Sequence, residues 1–312
     1  MLRFLATLLI VALTLVHPAL ADIDADIQAA DLSAQSGDFE GSRAILTRLI
    51  ESGELDAERQ AVMLHSRGTI EQILGNPEAA IEDFNRAITL SATYTDALYN
   101  RGVALMAVGR PADAANDFAA VLREEPDAVD AYAVLAEAQL EMGLLDQAVA
   151  NLDHALALAP GEGFLLVARA HARRLNGDMT GAIIDYDNAL AYFGADPQIY
   201  FERGRTRYAD GDQSGALEDL NRALELDPLW VEPMIERAFL FMDYGEISLA
   251  LADFNDVLAR SPEHPLALFG RAVAHAETGD IAAADEDFMM AYAMGMSHPI
   301  LDERLRELGV IE

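Results

Sequence analysis

Residues 197–230 read PQIYFERGRTRYADGDQSGALEDLNRALELDPLW. In the first half Tyr200 is followed, three and four residues on, by Arg203 and Gly204. Gly211 separates this half from a second, in which Ala216, Leu220 and Ala223 recur at spacings of four and three, and Leu226-Asp227-Pro228 closes the stretch. Apolar and small residues at these intervals predict two amphipathic helices joined by a tight turn. The neighbouring stretches have the same length of 34 residues. A helical hairpin recurring at a fixed period predicts an all-α solenoid.

The frame runs without insertion over residues 61–298, in seven units beginning at Ala61, Thr95, Val129, Gly163, Pro197, Val231 and Pro265. A degenerate unit over 23–56 precedes them, set apart by a short excess near Asp56–Gln60. Each in-frame unit has a glycine between its halves, as at Gly75, Gly143 and Gly211, and an alanine five residues later, as at Ala80, Ala148 and Ala216. The facing position in the first half is small throughout (Gly68, Gly102, Ala136, Ala170, Gly204, Ala238, Ala272). Small residues on both helices let their axes approach, and Phe84, Phe118, Leu152, Tyr186, Leu220, Phe254 and Phe288 fill the space beside them. A hairpin this short cannot hide its own apolar face, so it stacks on the next. After His298 the period stops, and Pro299–Leu308 reads as a capping helix within a terminal segment 299–312.

These positions carry a resemblance. The chain is similar to tetratricopeptide repeat proteins, whose 34-residue unit follows the pattern W-x2-L-G-x2-Y…A-x3-F…P. The resemblance implies a right-handed α-α superhelix over 22–298. The match is imperfect. The tryptophan position holds Leu64, Leu98, Tyr132, Leu166, Tyr200, Met234 and Leu268, and the closing proline is replaced at Ala92, Gly194 and Met296. The leucine before the small residue is usually arginine here: Arg67, Arg101, Arg169, Arg203, Arg237 and Arg271. Sixteen residues after each stands an aspartate: Asp83, Asp117, Asp185, Asp219, Asp253 and Asp287. Where the arginine is missing, at Ala29 and Leu135, the partner position holds Ile45 and Asn151. The two are kept or lost together, which predicts a repeated structural ion pair between the helices of each hairpin.

The first 21 residues stand outside this pattern. Arg3, the apolar run Phe4–Val16 and the small residues of Ala19-Leu20-Ala21 are ordered as in a secretory signal peptide. The run is short against the ~20 residues that span a bilayer. The expectation is cleavage before Asp22 and a periplasmic or secreted protein with no membrane insertion after cleavage. The chain has no cysteine, hence no disulfide. It carries 53 acidic and 21 basic residues. Removing residues 1–21 takes away Arg3 alone, leaving 20 arginines against 53 acids, a charge of −33. Such a charge disfavours nucleic acid and anionic lipid as partners.

No catalytic, metal-binding or cofactor-binding motif is present, so the chain is expected not to be an enzyme and to use no cofactor. The histidines are scattered without metal-ligand spacing. The family resemblance implies that the first helix of each unit lines a concave groove that takes a protein or peptide. Carried over by position, that groove includes Tyr99, Met106, His171, Arg174, Phe201, Arg205, Tyr208, Phe239 and Phe269. Arg174 and Arg205, beside Phe201 and Tyr208, are expected to form a positive, aromatic-edged anchor for an acidic partner segment. Arg173 and Arg207 occupy the position where the family has its packed tyrosine, and are read as pairing with acids on neighbouring helices. The resulting expectation is an exported scaffold that binds another protein. A homo-oligomeric structural protein of the cell envelope is the second reading, and an enzyme with an unrecognised site the third.

Overall fold

The protein is described from a computed structural model, in which residues 18–91 and 94–311 are defined. Residues 1–17 of the segment expected to be a signal peptide lie outside them. All the regular structure among the described residues is helical. The degenerate first unit forms α1 (Pro18–Gln35) and α2 (Phe39–Glu51). The in-frame units follow as helix pairs: α3 (Ala57–Ile73) and α4 (Pro77–Leu90), α5 (Thr95–Ala107) and α6 (Pro111–Glu124), α7 (Val129–Glu141) and α8 (Leu145–Leu158). Then come α9 (Gly163–Leu175) and α10 (Met179–Phe193), α11 (Pro197–Ala209) and α12 (Gln213–Leu226), and α13 (Val231–Asp243) and α14 (Ile247–Arg260). The last pair is α15 (Pro265–Glu277) and α16 (Ile281–Ala293), followed by the single helix α17 (Pro299–Glu307). The first helix of each pair is called A and the second B. The chain divides into two compact units, one ending at Leu144 and one beginning at Leu145. Within each, consecutive helices pack on one another, except that α17 packs on α15 and not on α16.

The turn in the hairpin 197–230 shows why the local sequence folds this way. Gly211 has φ +89°, a left-handed conformation that a Cβ would strain. Its N–H donates to the carbonyl of Tyr208 at 3.0 Å, and that of Asp212 donates to the carbonyl of Arg207 at 2.9 Å. This pair of bonds closes the A helix. Asp212 then caps the B helix, its carboxylate accepting from the N–H of Gly215 at 2.9 Å.

The core follows the small-against-large pattern. Ala80, Ala114, Ala148, Ala182, Ala216, Ala250 and Ala284 are fully buried, and so are Phe84, Phe118 and Phe254. A Cβ at Gly68 would come within 2.7 Å of the Phe84 ring, and one at Gly102 within 2.5 Å of Phe118. Phe288, at the same position in the last pair, is only half-buried, because no further pair stacks beyond it. In its place α17 docks on α15 through the buried Leu305. The excess near Asp56–Gln60 is not a separator. Asp56 caps α3 and the extra residues lengthen that helix to 17 residues, against 13 in α5.

Candidate functional site

The arginine–aspartate pairs form a bidentate ladder through six of the eight repeats. In all six, Nε donates to one carboxylate oxygen at 2.7–2.9 Å and Nη2 to the other at 2.6–2.7 Å. The aspartates are buried and the guanidinia mostly so. For Arg67, Arg101, Arg169 and Arg271 the hydrogen bond to the aspartate holds the guanidinium above its ordinary pKa, against the opposing pull of burial.

Each ladder arginine also reaches the preceding B helix through Nη1. Arg101 meets Asn85 at 2.6 Å, Arg169 meets Asp153 at 2.7 Å, and Arg203 meets Asp187 at 2.5 Å. Arg237 meets Asn221 at 2.8 Å and Arg271 meets Asn255 at 2.7 Å. Arg67 uses Thr47 instead, at 3.1 Å. One guanidinium thus ties the two helices of its own hairpin to the hairpin before it. The sequence signal for this third partner lies sixteen residues before every ladder arginine except Arg67, whose Thr47 stands twenty before it. It is Ala119, whose side chain has no hydrogen-bond acceptor, where the arginine is Leu135.

Arg173 and Arg207 join the same system, Arg173 on Asp185 at 2.8 Å and Arg207 on Asp219 at 3.0 Å. Asp185 and Asp219 therefore each hold two guanidinia.

The A-helix face of α9, α11 and α13 carries a separate cluster. His171, Arg174, Arg205 and Tyr208 come together there, but not as a free positive spot. Glu202 lies 3.9 Å from Arg174 and 3.8 Å from Arg205, and Glu236 lies 3.7 Å from Arg205. Two carboxylates thus sit among the two guanidinia and offset their charge, which corrects the expected anchor for an acidic segment. Glu202 and Glu236 occupy the same position in successive repeats, a signal that attention to the arginines alone misses. The separations are long for direct hydrogen bonds. Arg174 Nε and Glu202 Oε2 are buried with no hydrogen-bond partner.

Burial, then the charge of Arg174, pushes the His171 imidazole below its ordinary pKa, while burial pushes the Glu236 carboxyl up. Burial also raises the Tyr186 phenol beneath the cluster to about 12. Tyr208, 45% exposed, donates its hydroxyl to Asp243 at 2.5 Å, and that bond lifts its phenol to about 12.

The expected aromatic lining is only partly on the surface. Phe201 and Phe269 are buried: Phe201 packs against Trp230 with ring centroids 4.8 Å apart, and Phe269 against Phe288 at 5.7 Å. Phe201 thus meets the start of the next hairpin and Phe269 the second helix of its own, and neither is open to a partner, although Arg205 lies over the Phe201 ring at 5.6 Å. Tyr99, Met106 and Phe239 are half-buried, with Tyr99 edge-on to Phe118 at 5.7 Å and Phe239 edge-on to Phe254 at 5.3 Å. Among the described residues no group of His, Cys, Asp or Glu side chains is arranged to hold a metal.

Stacked helix pairs, most of them tied by the same ion pair across the hairpin, define a helical-repeat protein. Family models of the tetratricopeptide repeat match residues 61–94, 105–170, 167–229 and 236–299, and the chain belongs to that family. No curated protein matches it. Among solved structures, the C-terminal part of a TPR repeat-containing protein from Cytophaga hutchinsonii is 16% identical with TM-score 0.65, the match covering 78% of this chain and 98% of that one. A tetratricopeptide repeat protein from Parabacteroides merdae is 16% identical with TM-score 0.57, covering 92% of this chain and 99% of that one. YrrB, described as a TPR protein with an unusual peptide-binding site, is 17% identical with TM-score 0.51, covering 59% of this chain and 92% of that one. At these identities the likeness is one of fold.

Proposed function

We propose that this chain is an exported, non-catalytic scaffold that binds a segment of another protein along the A-helix face of its second unit. The observation that carries the reading is the cluster on α9, α11 and α13. Its guanidinia and carboxylates are loosely spaced, and two buried polar atoms lack partners, whereas the ladder arginines are bidentate. Leaving a buried polar atom unmatched costs about 1–3 kcal/mol, which hydrogen bonds from a bound segment would recover. Exposed Tyr208 beside it offers the amphipathic surface that interfaces favour. The peptide-binding site described for YrrB, a protein of the same fold, adds support.

A photoreactive residue in place of Tyr208, in the full chain inside cells, tests the reading. The expected result is one dominant cross-linked protein that is absent when the same residue replaces Leu249, an exposed B-helix position. Equal capture from both positions would sink it. Export is tested by the N-terminal residue of the protein recovered from cells, expected at Asp22.

A further inference from the structure

We propose that the recess between α13, α15 and α17 takes a lysine or arginine side chain of the partner segment. This inference rests on the scaffold reading and names the chemistry of one contact. The recess is a cavity of about 380 Å3. Phe239, Met242 and Val273 form its apolar floor, and Asp243, Glu277, Glu303, Glu307 and Arg304 make up the rest of the lining.

Four carboxylates therefore face one guanidinium, and that guanidinium is already engaged. Arg304 donates to Glu277 at 2.5 and 2.7 Å and to Glu307 at 2.8 Å. Asp243 accepts the Tyr208 hydroxyl, a neutral donor, and Glu303 makes no hydrogen bond or ion pair among the described residues. The recess keeps unmatched negative charge above an aromatic and thioether floor.

A long cationic side chain satisfies both features. Its methylene stem lies on apolar surface while its charge stays at the rim. An ammonium or guanidinium within about 6 Å of the Phe239 ring gains cation–π attraction. A carboxylate is repelled, and a neutral apolar side chain buries the floor while desolvating carboxylates that it cannot match. Charge complementarity thus selects a basic residue flanked by apolar ones.

The test uses the full-length protein and a fluorescein-labelled peptide amide, Gly-Leu-Phe-Lys-Leu-Phe-Gly. Its counterparts carry arginine, norleucine or glutamate in place of lysine, and binding is read by fluorescence anisotropy. The lysine and arginine peptides are expected to bind about ten-fold or more tightly than the norleucine peptide, with a preference that weakens as salt rises. Glu303→Gln with Glu307→Gln, both exposed, should abolish the preference without altering helix content. Arg304→Gln should strengthen it, because it frees Glu277 and Glu307. A merely structural role for Arg304 predicts no such gain.

Equal binding of the lysine and norleucine peptides overturns the recess and leaves the scaffold reading intact. So does the absence of any peptide binding while the cross-link at Tyr208 still captures a partner. If the full-length protein is a dimer that the glutamine pair dissociates, the occupant is an arginine of a second copy, and the partner assignment falls.

Discussion

A single arginine in this chain does the work of three contacts. Its bidentate fork joins the two helices of a hairpin, and its remaining nitrogen joins that hairpin to the one before. A buried carboxylate that loses this partner, or a guanidinium that loses its carboxylate, keeps its desolvation penalty without compensation. Asp117→Ala should therefore destabilise the first unit by about 3–5 kcal/mol. The chain itself suggests a milder change. Leu135, Asn151 and Ala119 show the whole set replaced at one repeat. Arg101→Leu with Asp117→Asn and Asn85→Ala copies that set, and should lose less stability than Asp117→Ala alone. Denaturant melts followed by a probe in the first unit decide between them, and a triple variant worse than the single one refutes the pairing. Asp219→Ala takes the shared carboxylate from both Arg207 and Arg203, leaving Arg203 with Asp187, and should also destabilise its unit.

At the scale of the helix pair, close approach of the A and B helices depends on what is absent. Gly102 leaves room for the Phe118 ring, which would lie 2.5 Å from an added Cβ. The ring is fully buried and cannot step aside. Gly102→Ala is thus an overpacking change, expected to destabilise by about 1–3 kcal/mol despite alanine's better helix propensity. A thermal melt with no loss would show that the pair can spread. The capping helix offers the opposite test. Leu305 is fully buried, and Leu305→Ala should weaken the docking of α17 by about 2–4 kcal/mol. Faster amide exchange confined to α17 and the facing side of α15 is the expected signature. Unchanged exchange there would mean that Leu305 does not hold the helix.

Across the molecule, charge is the dominant feature. The arginines are largely spent on ladders and local pairs, so most of the acidic excess has no cation to answer it. Self-repulsion of this kind opposes the folded state and is screened by salt. The melting temperature should rise when sodium chloride is raised from about 10 mM to about 150 mM, over which the screening length falls from about 30 to about 8 Å. A fall would indicate that the ladder pairs are more exposed to screening than their burial implies. The same repulsion makes an acidic partner unfavourable almost everywhere on the surface and leaves a basic segment as the natural complement.

The period of 34 residues, the turn glycines and the small-against-large alternation were enough to determine the helix pairs, because each is a local consequence of backbone geometry and side-chain volume. The Arg–Asp spacing of sixteen was equally legible, since two partners lost at the same repeats leave a trace within one chain. The third contact, from each arginine back to the preceding B helix, left its trace at Ala119 and became readable once the helices were stacked. The character of the A-helix face was decided by tertiary structure alone. Phe201 and Phe269 have the periodicity of groove residues, yet both are buried, Phe201 against Trp230 at the start of the next hairpin and Phe269 against Phe288 of its own, because packing within the stack takes up the same apolar side chains. Arg174 and Arg205 look cationic in the sequence, but Glu202 and Glu236 fold in among them, and a group's net field depends on which charges packing brings within a few ångströms.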